Sequence, residues 1–373
     1  MSEQSIKIDL DESRPLLPSS GDLWVVAGPC SAESEEQVLA TARELKALHK
    51  VSMFRAGIWK PRTRPNQFEG VGRIGLEWLR RVREEIGLPT CVEVAKAQHV
   101  EEALRHGVDV LWVGARSTAN PFSVQELADA LRGVDIPLMV KNPISPDLNL
   151  WIGALERFNQ AGVRRLIAVH RGFSSNGSAR YRNAPNWNIM IQLKRLLPKL
   201  PVICDPSHIA GVKRLVPEVA RLAVELGVRG LMIETHNDPP SARSDKEQQL
   251  TPGELDVMLQ QLAAPRPAPG PQDLTATLQS LRSRIDAIDL QILETLSTRM
   301  DIVKQIGVYK RVNALAIVQA DRWSEILPAR VCQGTSLQLS ERLVRGLFEV
   351  LHDEAIDLQA SLMQQVSDKE ANQ

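Results

Sequence analysis

Cysteine is scarce in this sequence, and none of it is spaced as a redox or metal-binding pair. Four cysteines occur in 373 residues, at positions 30, 91, 204 and 332, and no two form a CxxC motif. A disulfide framework is therefore not expected, and a reducing cytoplasm is the expected compartment. The N-terminal stretch MSEQSIKIDLDESRPLL also lacks the basic and apolar regions of a secretory signal.

Long apolar runs and an excess of charge are missing as well. No apolar run approaches the roughly 20 residues that span a bilayer, so membrane insertion is not expected. The 45 basic residues balance the 45 acidic ones, which argues against a nucleic-acid partner. Any site for an anionic ligand must be built from a local cluster of cations.

A proline-rich stretch divides the chain into two dissimilar parts. The sequence AAPRPAPGPQ at 263–272 is typical of an extended spacer. We therefore predict an N-terminal tail over 1–20, a mixed α/β domain over 21–262, a linker over 263–272 and a helical domain over 273–373.

Eight short apolar runs alternate with amphipathic helical patterns in the first part. The runs span 23–28, 51–56, 90–94, 108–114, 136–141, 164–170, 200–205 and 228–234. Most are rich in Val, Ile and Leu without strict alternation, as in parallel strands covered on both faces. Eight such units in about 250 residues favour a (β/α)8 (TIM) barrel. An open, doubly wound sheet is the alternative.

Each predicted strand ends near ionisable residues, and active sites of such barrels lie at the C-terminal strand ends. Six of these residues are cations: Arg55, Lys60, Arg62, Arg116, Lys141 and Arg171. Guanidinium and ammonium groups bind phosphate and carboxylate oxygens. Their convergence predicts a phosphorylated acid as the substrate, and surface salt bridges are the alternative interpretation.

A second group of strand-end residues has the chemistry of metal ligands. Cys30, His208, Glu234 and Asp245 offer a thiolate, an imidazole and two carboxylates. A closed barrel brings the first, seventh and eighth strands together. The mixed set suits a divalent metal and leaves Mn, Fe, Zn and Co open. For Cys30 alone, a packed and chemically inert thiol is the alternative.

Motifs at these strand ends resemble one enzyme family. GPCSAES, RAGIWKPRT, WVGARSTANP, MVKNP, HRGFSS, CDPSH and IETH…SDKEQQL are similar to the class I synthases of 3-deoxy-D-arabino-heptulosonate 7-phosphate (DAHP), of the short-chain beta type. The resemblance extends from about residue 20 to residue 262. KPRT separates this family from the octulosonate-phosphate synthases, which share the barrel.

The resemblance implies roles for the residues at the strand ends. Cys30, His208, Glu234 and Asp245 would bind the metal. The implied contacts to phosphoenolpyruvate come from Arg55, Lys60, Arg116, Lys141 and Arg171, and those to erythrose 4-phosphate from Lys60, Arg62 and Thr63. The implied reaction is an aldol-like condensation that yields DAHP and phosphate, with the metal as Lewis acid on the aldehyde oxygen. Lys60, Glu93 and His208 are the candidate proton-transfer groups.

The second part of the chain is predicted to be helical. Apolar residues at three-four spacing over 273–311 predict one helix, about 60 Å long at about 1.5 Å per residue. A domain of this size cannot cover such a stripe, so an intertwined homodimer is expected. Arg299 and Lys310 fall on the apolar face, where a charge requires an anionic partner. A last helix is predicted over 336–366, and an antiparallel bundle with snorkelling cations is the alternative.

The sequence LRSRIDAID, followed by R…K, DR and a late Gln, resembles the all-helical chorismate mutase family over about 278–362. The resemblance implies binding of the dianion chorismate and its rearrangement to prephenate without a metal. The implied ligands are Arg282, which would serve the partner subunit, and Arg299, Lys310, Arg322 and Gln359. Lys310 and Gln359 would stabilise the ether oxygen. Trp323, Ala355 and Pro328 depart from the family pattern.

Together the resemblances imply a bifunctional enzyme, a metal-dependent transferase and an isomerase of aromatic amino-acid (shikimate-pathway) biosynthesis. Phosphoenolpyruvate, erythrose 4-phosphate and chorismate would be its small-molecule substrates. The alternative is a DAHP synthase whose helical domain mainly dimerises and senses prephenate or chorismate. In that case binding at the two sites would be reciprocally coupled.

Overall fold

The computed structural model describes residues 6, 8–14, 17, 23–60, 68–174, 180–262, 272–313, 315–316 and 320–370, without the side chains of 272–278, 280, 320–322 and 363–370. The chain forms two compact units, Met1–Ala268 and Pro269–Gln373. Most of the linker predicted over 263–272, and much of the tail predicted over 1–20, lie outside the described residues.

The first unit contains a closed barrel of eight parallel strands, as predicted. Each strand pairs with the next, and the first pairs with the eighth from Trp24↔Gly230 to Gly28↔Glu234. This closure rules out the open, doubly wound sheet. The strands are β1 (Trp24–Gly28), β2 (Met53–Arg55), β3 (Thr90–Val94), β4 (Val110–Val113), β5 (Leu138–Lys141), β6 (Leu166–His170), β7 (Val202–Cys204) and β8 (Gly230–Glu234).

Helices cover the outside of the barrel. They are α1 (Glu35–Ala47), α2 (Ile74–Arg81), α3 (Ala97–Arg105), α4 (Ala115–Thr118), α5 (Pro121–Ala130), α6 (Leu148–Gln160), α7 (Trp187–Leu196), α8 (Pro206–Ala210), α9 (Val216–Glu225) and α10 (Pro252–Gln261). Their starts carry local signals: the Asp147 side chain caps α6, and Thr251 and Glu254 form a capping box on α10.

Alternation along the strands separates two apolar layers. One set of side chains fills the barrel interior, including Met53, Trp112, Met139, Val169 and Met232. The alternate set packs against the helices. Because side chains two residues apart share a face, the interior face continues into the strand-end charges. Arg55, Glu93, Lys141, Arg171, Asp205 and Glu234 each follow an interior residue by two positions.

The second unit consists of three helices, α11 (Gln272–Val312), α12 (Ala320–Ser336) and α13 (Glu341–Glu370). The long helix predicted over 273–311 is confirmed, whereas the last helix begins at Glu341 rather than at 336. Pro328 lies inside α12 and does not end it. Trp323 of α12 stacks on His352 of α13 with ring centroids 3.9 Å apart. No described helix of either unit is long and apolar enough to cross a membrane.

Candidate functional site

Cys30 lies just after β1, at the mouth of the barrel. Gly28 ends this strand with φ +148°, and a Cβ there would overlap the carbonyl oxygen of Arg55. Glycine therefore allows the ends of β1 and β2 to approach. The Cys30 amide donates to Gln249 Oε1 at 2.9 Å, and the Cys30 carbonyl accepts from Gly57 N at 3.2 Å. These bonds fix the buried sulfur near the end of β8.

Three of the four predicted metal ligands are brought together. Ligand atoms of Cys30, Glu234 and Asp245 lie within 4.8 Å of one another, and Cys30 Sγ is 3.3 Å from Asp245 Oδ2. His208 borders the same space, because its Nε2 lies 3.7 Å from Glu234 Oε1. Sulfur, nitrogen and carboxylate donors around one largely buried point fit a divalent metal ion.

Asp205, the residue after β7, holds His208 in place. Its Oδ2 lies 2.8 Å from His208 Nδ1 and 2.7 Å from Lys141 Nζ. Its Oδ1 accepts the His208 backbone N–H at 3.1 Å. Burial raises the pKa of Asp205, but the charges of His208 and Lys141 outweigh burial and hold it well below the usual range. With a carboxylate oxygen 2.8 Å from Nδ1, Nε2 faces Glu234, an arrangement that many metal-binding histidines share.

The surroundings of the sulfur favour a bound cation. Burial, and then the Glu234 charge, raises the pKa of the Cys30 thiol to about 12. Lys60 Nζ, 3.1 Å from Cys30 Sγ, acts in the opposite direction. Metal ligands must give up their protons, so a divalent ion would replace the proton on this sulfur. Asp245 is ready to bind, because Arg182 and other cations outweigh burial and lower its pKa.

Arg55 is a buried cation with unused donors. It is 1% exposed, and its Nη2 donates to Glu234 Oε1 at 3.1 Å. Its Nε and Nη1 have no hydrogen-bond partner among the described residues. Unsatisfied buried donors are costly, and these N–H groups are available to an anionic ligand. The surface salt-bridge interpretation does not hold for Arg55, nor for Lys141, which is 5% exposed.

Cations also crowd around Arg171, which follows β6. Its Nη1 donates to Asn183 Oδ1 at 2.9 Å. Burial, together with the charges of Arg182 and Arg116, lowers the pKa of Arg171 to about 10. An anion bound between such groups would favour their charged forms. The rim of the barrel therefore has the electrostatics of an anion site. This site lies next to the four predicted metal ligands, Cys30, His208, Glu234 and Asp245, which we call the metal-ligand group.

Lys60 connects these two regions. Its Nζ donates to the Cys30 carbonyl oxygen at 2.7 Å as well as to the sulfur. Glu93, on β3, is half-buried, and its carboxylate occupies the space that a Cβ on Gly114 would fill. Arg62 and Thr63, the rest of the predicted erythrose 4-phosphate contacts, lie outside the described residues.

Several polar residues of the site were not assigned a role from the sequence. Arg182 contacts Asp245, and Gln248 contacts Glu234. Gln248 and Gln249 belong to the motif SDKEQQL, and Asp205 belongs to CDPSH. These two motifs could have indicated Asp205, Gln248 and Gln249 as site residues. Neither strand periodicity nor ligand type indicates Arg182.

The predicted chorismate ligands lie on all three helices of the second unit. Arg299 Nη1 donates across to the Leu351 carbonyl of α13 at 3.2 Å. Gln359 is buried, and its Oε1 has no hydrogen-bond partner among the described side chains. Arg282 is exposed on α11, Lys310 is half-buried on α11, and Arg322 lies on α12 with its side chain outside the described set.

Comparison with protein families assigns both units. Residues 9–265 match the model of the DAHP synthetase I family, and residues 281–360 match that of chorismate mutase type II. The first match covers more than half of the chain. Both predicted resemblances are thereby confirmed, and so is their order along the chain.

Individual relatives agree with the first match. A phospho-2-dehydro-3-deoxyheptonate aldolase of Thermotoga maritima is 29% identical over 231 residues, which cover 62% of this chain and 66% of that protein. The chain thus spans slightly less than two thirds of that relative. A 2-dehydro-3-deoxyphosphooctonate aldolase of Caulobacter vibrioides is 26% identical over 291 residues, covering 69% of this chain and 92% of the relative.

Solved structures show the same barrel. The crystal structure of the Thermotoga maritima DAHP synthase superposes with a TM-score of 0.59 at 25% sequence identity, covering 67% of this chain and 72% of the other. The strand-end residues, the closed barrel and the family matches therefore converge. The chain belongs to the DAHP synthetase I family and carries a chorismate mutase type II domain in its C-terminal unit.

Proposed function

We propose that the chain condenses phosphoenolpyruvate with erythrose 4-phosphate to give DAHP and phosphate, and also rearranges chorismate to prephenate. The observation that carries the first reaction is the position of buried Arg55, whose Nη2 contacts Glu234 of the metal-ligand group while two other nitrogens have no described partner. The two family matches support both reactions of aromatic amino-acid biosynthesis.

The synthase is metal-dependent, and Cys30, His208, Glu234 and Asp245 hold the ion. The mutual approach of three of these groups and the position of His208 Nε2 support this ligand set. When bound, the ion supplies a Lewis acid for the aldehyde oxygen. The donors leave Mn, Fe, Zn and Co open, because sulfur and imidazole suit softer ions than carboxylates do.

Phosphoenolpyruvate binds to the cations of the rim. Arg55 offers Nε and Nη1 to its carboxylate or phosphate oxygens. Lys141 is oriented by its 2.7 Å contact with Asp205. Arg171 follows β6 and Arg116 follows β4, so both add positive charge beside Lys141 at the end of β5. Such pre-oriented cations stabilise the negative charge that develops on the departing phosphate.

Fewer residues are assigned to erythrose 4-phosphate and to the proton transfers. Erythrose 4-phosphate contacts Lys60, Arg62 and Thr63. Lys60, Glu93 and His208 remain the candidates for proton transfer. Of these, Lys60 contacts Cys30 directly, with Nζ 2.7 Å from the Cys30 carbonyl oxygen and 3.1 Å from Cys30 Sγ.

The length of the acceptor sugar tests the synthase assignment. Products named as heptonates and octonates differ by one carbon, so with the same three-carbon donor the acceptors have four and five carbons. The octonate-forming relatives make the second reaction a distinct candidate. We expect the chain to consume phosphoenolpyruvate with erythrose 4-phosphate and not with a five-carbon aldose phosphate. The reverse preference would assign the octulosonate reaction instead.

The helical unit forms its site as a homodimer. Ile285, Ile288 and Ile292 of α11 are 57%, 54% and 50% exposed in one copy. An exposed apolar stripe of this kind marks an interaction surface, and a second copy of the same helix covers it. Arg282 lies exposed on this helix, where it can serve the partner subunit.

Within that site, cations hold chorismate in its reactive conformer. Arg282, Arg299 and Arg322 bind the two carboxylates, and Lys310 and Gln359 stabilise the ether oxygen as it separates. The full chain should therefore convert chorismate to prephenate, and K310Q should lose this activity. Binding of prephenate or chorismate without turnover by the full chain would favour the sensing role. Sedimentation equilibrium should show a dimer.

The compartment proposed for these reactions is the cytoplasm. None of the four cysteines forms a disulfide, and Cys30, Cys91 and Cys204 are buried as free thiols. A thiol that serves as a metal ligand is maintained by a reducing environment.

A further inference from the structure

In each of the two carboxylates of the metal-ligand group, the two oxygens contact different partners. Asp245 Oδ2 lies 3.3 Å from Cys30 Sγ, whereas Asp245 Oδ1 accepts from Arg182 Nη1 at 3.0 Å. Glu234 Oε1 lies 3.7 Å from His208 Nε2 and accepts from Arg55 Nη2 at 3.1 Å, whereas Glu234 Oε2 accepts from a side-chain amide at 2.7 Å. The inner oxygens, Asp245 Oδ2 and Glu234 Oε1, therefore face other predicted metal ligands. The outer oxygens, Asp245 Oδ1 and Glu234 Oε2, accept hydrogen bonds from side chains that are not metal ligands.

The two outer contacts are joined in one hydrogen-bond chain. The amide that donates to Glu234 Oε2 is Gln248 Nε2. Gln248 Oε1 in turn accepts from Arg182 Nη1 at 2.9 Å. Arg182 Nη1 therefore donates to both Asp245 and Gln248. By fixing the Gln248 amide, it also orients the amide nitrogen that donates to Glu234. Displacing the guanidinium removes a restraint from both carboxylates.

Arg182 is itself anchored to the element that carries His208. Its backbone N–H donates to the Ala210 carbonyl at 3.4 Å. The next residue, Asn183, donates from its backbone to Ile209 O at 3.2 Å and from Nδ2 to His208 O at 2.7 Å. The loop after β6 is thus tied to α8 at the point where Arg182 reaches toward the metal-ligand group.

The backbone of Asp245 shows why such a restraint is needed. Asp245 has φ +46° and ψ +34°, in the left-handed region that non-glycine residues adopt infrequently. Conformations of this kind persist when the surrounding contacts hold them. The Arg182 contact is one that reaches Asp245 from another part of the chain.

We propose that Arg182 and Gln248 are positioning residues that orient Asp245 and Glu234 for metal binding. This inference rests on the metal site of the proposed function. Two roles for Arg182 predict opposite changes. If Arg182 acted only through its charge, removing it would raise the affinity for a dication. If it orients the ligands, removal lowers the affinity, by about 10- to 100-fold as for outer partners of metal ligands elsewhere.

The test compares metal binding by the full chain and its R182Q, Q248M and R180Q variants. Arg180 is the matched control, because it lies two residues away in the same loop and pairs with exposed Glu218 at 2.7 Å instead. Cobalt(II) affinity is measured by competition with a chelator, and the thiolate-to-cobalt absorption band reports ligation by sulfur. Unfolding of the metal-free proteins shows that each variant folds.

We expect R182Q and Q248M each to weaken cobalt binding about 10- to 100-fold and R180Q to bind like the parent. Because both act through one hydrogen-bond chain, the double variant should lose less than the product of the single losses. Binding by R182Q as tight as that of the parent, or tighter, overturns the inference. A parent protein that binds no cobalt or lacks the thiolate band contradicts the proposed metal site instead. If Q248M does not fold, R182Q, on a partly exposed side chain, still decides the question.

Discussion

Asp205→Asn perturbs the buried network that joins the cationic rim to the metal-ligand group. Asp205 is fully buried, and its Oδ2 contacts both Lys141 Nζ at 2.7 Å and His208 Nδ1 at 2.8 Å. Asparagine keeps the size of the side chain and one oxygen that can cap α8. The substitution therefore removes the charge and presents an N–H group to two donors, without leaving a cavity.

The magnitude follows from burial. Lys141 is also buried, so in D205N its ammonium group would have lost its counter-ion and would not be solvated by water instead. Removing one partner of a buried ion pair costs about 3–5 kcal/mol. We expect a loss in this range for the free energy of unfolding of the metal-free barrel. Loss of the carboxylate beside His208 Nδ1 should also weaken metal binding.

Tryptophan fluorescence during denaturant unfolding measures this loss, because six of the seven tryptophans, at 24, 59, 78, 112, 151 and 187, belong to the barrel unit. D129N is the matched control: Asp129 pairs with Arg132 at 2.9 Å on the surface, so its removal should cost less than about 1 kcal/mol. A D205N barrel as stable as that of D129N would show that the buried pair of Asp205 and Lys141 does not contribute this free energy.

Three further substitutions test separate parts of the account. His170 packs between Trp151 and Trp187, and burial lowers its pKa to about 3. The unfolded chain takes up this proton below about pH 6.5, so the barrel should lose on the order of 2 kcal/mol between pH 7 and pH 5. H170F should lack this pH-dependent loss of stability. The same loss in H170F as in the parent would show that His170 does not cause it. G114A, whose Cβ would overlap the Glu93 carboxylate, should lower the synthase kcat, and so should E93Q; full activity in a stable G114A protein would contradict a role of Glu93 in proton transfer. A Cβ in G307A would lie 3.1 Å from Gln359 Cγ, so prephenate formation should slow while DAHP formation does not, and equal mutase rates would contradict the role of Gln359.

The barrel and the charged residues at its rim were predictable from the sequence, because the two-residue period of the strands also determines which strand-end residues face the barrel mouth. Arg55, Lys141 and Glu234 each follow an interior methionine by two residues, at 53, 139 and 232. A residue in that register at a strand end lies in the mouth of a closed barrel. Ligand type then separated the cations from the predicted metal ligands.

The contacts that orient the site were not predictable in the same way. Asp205 and Lys141 meet across the barrel interior from β7 and β5, which are not hydrogen-bonded neighbours. Arg182 lies on a loop, where no periodicity relates it to Asp245 in another loop. Side-chain partners of this kind follow from the three-dimensional path of loops, and a sequence pattern records only their residue types.

DAHP formation by this chain should depend on a metal ion held by Cys30 and its neighbours. The most direct measurement is the rate of DAHP formation by the full chain and by C30S, before and after removal of metal with a chelator and after addition of a divalent ion, with the bound metal quantified. We expect chelation to abolish the activity and added metal to restore it in the parent but not in C30S. Full activity of the metal-free parent, or of C30S with added metal, would contradict the account.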